Sequence, residues 1–200
     1  VPTCLSVLGR TPWQTVDSPI PGGAARDESE WLTRYSGGWP LLLPNGGDAC
    51  TFEGTFHGFH GEASISPWSC DNVGRKLRLS RRFHSVPVEM IRTISLEGEQ
   101  VVVEERVRLT GQRPVEVMWG HHPTFGSDLL DGPIEITSSA GVVTADEGYD
   151  PEANPLLPSA TGRLAEMPGK RGEVDLSHPS APMATLAYLS GFETAWAAIQ

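Results

Sequence analysis

Basic residues are in short supply in this 200-residue sequence: 15 Lys and Arg stand against 25 Asp and Glu, a formal net charge of −10. A surface of that sign repels phosphate, which excludes nucleic acid as a partner. Long apolar runs are also missing. None approaches the roughly 20 residues that cross a bilayer, and no secretory leader is legible, so no membrane partner is expected. Cysteine is scarce, with Cys4, Cys50 and Cys70 only. An odd number without a C-x-x-C spacing gives no disulfide framework and points to a reducing compartment, most simply the cytoplasm. Nucleotide signatures are lacking too: there is no G-x-x-x-x-G-K-[ST], and no G-x-G-x-x-G after a strand. No G-x-S-x-G elbow presents a hydrolase serine.

What is present describes an ordinary globular chain. Hydrophobic residues make up 38% and charged residues 20%, which is no disordered composition. A chain of this length fits one domain over residues 1–200 and buries a core without staples. It begins at Val1 and ends on the apolar run Ala195–Gln200 with no closing turn, so the sequence suggests part of a longer protein.

The pattern is that of strands. Residues 17–28 are rich in proline and glycine, then charged, and read as a loop. The segment Gly37 to Gly47 sets Leu41, Leu42 and Leu43 between Pro40 and Pro44, giving a short buried segment and a turn at Asn45–Gly46. From Arg75 the period is two. Leu77, Leu79 and Phe83 share one parity, with Arg78 and Arg82 on the other. Val101, Val103, Val107 and Leu109 alternate against Val102, Glu104, Arg106 and Arg108, and Val115, Val117 and Trp119 against Glu116 and Met118. Gly98 and Gly111 mark connections, so an antiparallel meander with one packed and one polar face is expected. Ile134–Thr137 and Val142–Thr144 read as a further hairpin, residues 149–182 as a long loop, and Ala184–Leu189 and Ala195–Ile199 as strands. No helix of three turns is predicted, and the fold class is all-β.

Five of the six histidines fall in or between two stretches: Phe56 to Ala63, with His57, His60 and Glu62, and Trp119 to Gly126, with His121 and His122. Imidazole changes charge near neutral pH, and glycine permits close backbone approach. If the strand from Val115 stays regular, His121 shares a face with Val115, Val117 and Trp119, whereas His122 joins Glu116 and Met118 on the more open face. A bulge before Pro123 reverses that assignment. Each residue also has an ordinary reading: His57 as a structural residue beside aromatics, Glu62 as a strand-end charge, Trp119 as core, His84 and His178 as surface. Arg75, Lys76, Arg78, Arg81 and Arg82 read as a solvated strand face, or as contacts to a substrate phosphate. A metal site built from His57, His60, Glu62 and a downstream histidine is a third possibility. An offset of three separates His57 from His60 on a regular strand, so only His60 and Glu62 share a face.

As an ordered set, these motifs resemble the aldose 1-epimerase (galactose mutarotase-like) family. Gly37-Gly38-Trp39-Pro40 with Pro44-Asn45 is similar to its glycine-proline segment ending in Pro-Asn. His60-Gly61 is similar to its first histidine, and His122-Pro123-Thr124-Phe125 to its His-Pro-Tyr-Phe-Asn signature. Val142 to Leu164, with Asp146-Glu147 as an acidic turn, resembles the stretch that follows. The likeness covers roughly 37–175. It implies an antiparallel β-sandwich of the supersandwich type over 37–200, with an irregular part at 1–36, incomplete at the C-terminal end.

The resemblance also implies a reaction. A monosaccharide, a hexose or a sugar phosphate, opens by loss of its anomeric hydroxyl proton and protonation of its ring oxygen, then closes on the other face. Each positioned proton transfer contributes typically about 10²–10⁴ in rate. By the family pattern His122 is the catalytic acid, while His60, Asn45, Glu62 and Trp119 are candidates for contacting the sugar, and neither cofactor nor metal is implied. The family often has arginine after Pro-Asn, where Gly46 stands here, and asparagine where Gly126 stands. Its general base is a glutamate expected beyond residue 200. The alternatives are a carbohydrate-binding sandwich without turnover and a metal-dependent, cupin-like barrel.

Overall fold

The structure, a computed structural model, describes residues 24–35, 38–98, 100–125, 132–179 and 183–200. The readings for Cys4, residues 17–23, Gly37 and Gly126 lie outside the described residues. The chain is all-β with antiparallel sheets, and among the described residues there is one short helix and no sheet closes into a barrel. It divides into two compact units, Val1–Leu129 and Leu130–Gln200.

In the first unit, α1 (Glu28–Leu32) starts where Asp27 accepts the Glu30 amide at 2.8 Å, with Glu28 and Glu30 in its positive first turn. Residues 1–36 carry no periodicity in the sequence and are expected to be irregular. A helix of five residues carries too little periodicity to be seen, and its anchor is tertiary: Trp31 is buried against Ala25, Tyr35 and Ile65.

The meander forms as β4 (Ser69–Val73), β5 (Lys76–Arg82), β6 (Val88–Glu97) and β7 (Gln100–Leu109), in sequential order. Two-residue turns link the outer hairpins, with Gly74 at φ 63° and Gly98 at φ 65°, a region glycine enters without strain. Register aligns Arg81 with Met90 and Val107, and Leu79 with Arg92 and Glu105, on one face. Arg78, Thr93 and Glu104 align on the other. Met90 and Val88 are buried on the first face against Leu41, Leu43 and Ala63. Burying each such side chain stabilises by about 1.5–3 kcal/mol.

A second layer covers that face, and here one expectation is corrected. Val115 to Trp119 adds no strand to the meander. Instead, β1 (Leu41–Leu42) pairs with β8 (Gly120–His121), and the pairing runs on through Met118 N to Pro44 O, His122 N to Pro40 O and Thr124 N to Gly38 O. Pro40 and Pro44 have no amide to donate, so the regular ladder is cut to two residues a side. The hairpin β2 (Cys50–Phe52) and β3 (Thr55–His57) follows the Asn45–Gly46 turn.

The glycines after β3 serve the chain itself. A Cβ on Gly61 would lie 2.4 Å from the Leu43 carbonyl oxygen, and one on Gly58 would lie 2.7 Å from the Ala25 nitrogen. Residues 58–61 thus turn tightly against two backbone segments, which overrides the reading that these glycines admit a ligand.

The second unit holds a three-stranded sheet in which β10 (Val142–Ala145) lies between β11 (Thr161–Gly162) and β14 (Ala187–Ser190). A hairpin of β12 (Met167–Gly169) and β13 (Gly172–Val174) replaces part of the expected long loop. The expected hairpin at 134–144 is also corrected. β9 (Ile136–Ser138) pairs with β15 (Ala197–Ile199), so β9 and β10 belong to different sheets. The Ser138 hydroxyl donates to Trp196 O, and Gly141 N donates to Ser190 O, drawing the two ends apart. Val143, Ala145, Leu156 and Met167 form this unit's core.

Gly61, at φ 72° and with no room for a methyl, gives a direct test. Gly61→Ala should destabilise the chain by more than about 1 kcal/mol in urea unfolding, and Gly47→Ala, where a Cβ meets nothing within 4 Å, should not.

Candidate functional site

Residues 58–61 and the end of β8 converge in the first unit. His60 stands in the left-handed region at φ 57°, its amide bonded to Gly47 O at 2.9 Å. His122 follows β8 and is held through its amide to Pro40 O. Their ring centroids lie 5.7 Å apart at an interplanar angle of 51°. Aromatic rings surround the pair: Phe59 is 4.1 Å and Trp31 4.9 Å from His60, and Tyr35 is 5.8 Å from His122. Trp31 stacks on Tyr35 at 4.3 Å and donates its indole N–H to the Ser64 hydroxyl at 2.8 Å. Tyr35 and Thr124 share a hydroxyl–hydroxyl hydrogen bond, tying α1's end to the chain beyond His122.

The two imidazoles differ in surroundings. Burial holds the His60 pKa below the usual imidazole value, and the charge on His122 lowers it further. The Gly46 backbone and the Asp48 charge act in the opposite direction. His60 Nδ1 is buried without a hydrogen-bond partner, whereas the His122 side chain is exposed. Burial raises the Tyr35 pKa, so its phenol stays protonated. The site therefore sets a neutral imidazole beside a solvent-accessible one, with phenol and indole behind them. Such a pair can donate and accept hydrogen bonds to a hydroxylated ligand and pass it one proton.

His121 faces the opposite way. Its Nδ1 accepts the Trp39 indole N–H at 3.1 Å and its Nε2 lies 3.3 Å from Glu105, so the proton of the neutral ring sits on Nε2. Glu105 also accepts the Trp119 indole N–H at 2.9 Å and pairs with Arg92 at 3.0 Å, both charges nearly buried. Burial lowers the Arg92 pKa, and Glu105 opposes that. Trp119 and His121 thus face the four-stranded sheet and His122 faces away, the alternation expected from their spacing.

Three of the candidate sugar contacts are placed elsewhere. Glu62, 3% exposed, pairs with Arg81 at 3.0 Å and accepts the amides of His84 and Ser85 and the Ser85 hydroxyl. Its oxygens are taken up in holding the 84–85 turn, which corrects its assignment as a sugar ligand. Asn45 gives its amide to the carbonyls of Gly47, Asp48 and Gly58, so it organises the loop beneath His60. Trp119 is half exposed, with its polar atom on Glu105, and is neither core nor beside the imidazole pair. His57 is buried on β3, and His178 is exposed beside Asp175. Arg78 and Arg82 are exposed on the sheet face turned from the β1–β8 layer, where their charges act on Glu89. Among the described residues no three His, Cys, Asp or Glu side chains are grouped to hold a metal ion.

Trp31, Tyr35 and Asp48 were not singled out by the sequence. The cap spacing Asp27-x-x-Glu30 and the i, i+4 pair Trp31–Tyr35 were the available signals, on a segment too short for its period to register.

His60 has a folded-state pKa below its unfolded one, so its contribution to stability is whole above about pH 6.5 and is lost as pH falls through the depressed value. Urea unfolding should show a loss of stability below pH 6.5 that His60→Gln flattens. Glu62→Gln, leaving the Arg81 charge buried without its counter-ion, should cost about 3–5 kcal/mol in the same assay. No family model matches the chain, and neither the curated proteins nor the solved structures give a match.

Proposed function

We propose that this chain acts on a monosaccharide as an aldose 1-epimerase-like isomerase, interconverting the α and β anomers of a free aldose. The observation that supports this reading is the 5.7 Å approach of His60 and His122, sixty-two positions apart in the chain, on an aromatic backing. In the reaction so read, His122 protonates the ring oxygen as C1–O5 opens and recovers the proton as the ring closes. His60, kept neutral by burial and by His122, holds a sugar hydroxyl without competing for that proton. A neutral hexose fits better than a sugar phosphate, because Arg78 and Arg82 lie on the far face of the sheet. Cys50 and Cys70 are exposed free thiols, which suits a reducing cytoplasm.

The carboxylate that removes the anomeric proton is not assigned within the chain, since Glu62 is committed to Arg81 and Glu105 to Arg92. That commitment favours a second reading, in which the same imidazoles bind a sugar without turning it over.

Polarimetry separates the two. Under the first reading the protein accelerates mutarotation of α-D-glucose or α-D-galactose, and His122→Ala reduces kcat at least about 100-fold with a smaller change in KM. Saturable sugar binding with no acceleration would leave only the binding reading, and an unchanged rate in His122→Ala would remove that residue as the acid.

A further inference from the structure

One carboxylate at the imidazole pair has no role in holding the fold. Asp48 is exposed, and among the described residues its side chain enters no hydrogen bond and no ion pair. Its backbone is held firmly all the same. The Asn45 amide donates to Asp48 O at 2.6 Å, and also to Gly47 O at 3.2 Å and Gly58 O at 3.1 Å. Gly47 O accepts the His60 amide at 2.9 Å, so the turn that carries Asp48 is bonded to the segment that carries His60. The turn acts on the ring as well. Burial lowers the His60 pKa, and the Gly46 backbone and the Asp48 charge both oppose it. Glu62 and Glu105, by contrast, are occupied by Arg81 and Arg92.

We infer that Asp48 selects the sugar: its carboxylate accepts hydroxyls at the His60 end of the site, which therefore takes neutral aldoses and turns uronic acids away. This rests on the reading that the imidazole pair holds a monosaccharide, with or without turnover. An ionised carboxylate offers acceptors only, so its partner on a sugar is a hydroxyl. A hydrogen bond to a charged group is about twice as strong as a neutral one. A carboxylate on the ligand would meet a like charge instead, which lowers its affinity relative to the neutral sugar. Asp48 also has no internal partner to give up when a sugar arrives. Glu62 would have to leave Arg81 buried and unpaired. The turn of Asp48 is tied to His60, the ring that holds a hydroxyl in that reading, so Asp48 is a binding group and not the acceptor of the anomeric proton.

Calorimetric titration of the intact chain with D-galactose and with D-galacturonate at neutral pH and low salt tests this, with polarimetry and thermal unfolding alongside. Asp48→Asn should weaken galactose binding about 10–100-fold, the loss expected for a hydrogen bond to a charged group. Any polarimetric rate should show that loss in KM, with kcat changed far less, because the contact is made equally in substrate and transition state. Wild type should bind galacturonate at least about fivefold more weakly than galactose, and Asp48→Asn should close that gap. The Tm should not move, since the side chain has no partner in the fold. Asp71→Asn, at an exposed strand position, removes the same charge elsewhere and should alter none of these. The inference alone is overturned if Asp48→Asn binds galactose as wild type does, or lowers Tm, or if Asp71→Asn closes the gap equally. If wild type neither binds galactose nor speeds its mutarotation, the sugar reading falls and takes this inference with it.

Discussion

The antiparallel pairing of residues 38–44 with residues 118–124 is the constraint on which the first unit rests. It joins segments about eighty positions apart and lays them as a second layer over the meander. Because side chains alternate along such a pair, adjacent histidines receive opposite surroundings. His121 turns toward the sheet and Glu105, and His122 turns toward Trp31, Tyr35 and His60. Two prolines interrupt the ladder, and the flanking bonds at Gly38, Pro40 and Pro44 keep the register that this division requires.

Two buried ion pairs, Arg81–Glu62 and Arg92–Glu105, stand on the packed face of the sheet. A hydrophobic pair of the same shape would serve stability as well or better, so their value lies in what they orient. Glu62 collects the 84–85 turn, and Glu105 gathers His121 and Trp119 while Arg92 Nη1 reaches the Trp39 carbonyl at 3.3 Å. These polar contacts fix one lateral position of the second layer over the first. An apolar interface alone would tolerate several.

The functional consequence is an asymmetry between two imidazoles of equal intrinsic basicity. Burial and a neighbouring ring push His60 toward its neutral form, while His122 stays open to solvent. Acid–base chemistry on a sugar needs one group to carry the proton and another to hold a hydroxyl without taking it. The proposed roles follow from that difference in surroundings.

Strand-rich character, the meander's two faces and the opposition of His121 to His122 were legible in the sequence, because a period of two is a local property that each strand carries in its own residues. The partners of those strands were not. Val115–Trp119 stayed outside the meander while Gly120–His121 paired with Leu41–Leu42, and Ile136–Ser138 joined Ala197–Ile199, because apolar alternation says which face is buried but not against what. Glu62 reads as a strand-end charge and Glu105 carries no signal of its own in the sequence, and only three-dimensional packing set arginines beside both. Sequence determined the strand-rich class and the alternation of side chains along the meander. Tertiary structure alone decided which strands pair, which carboxylates are occupied and which imidazoles meet, since each depends on contacts between residues that no local window contains.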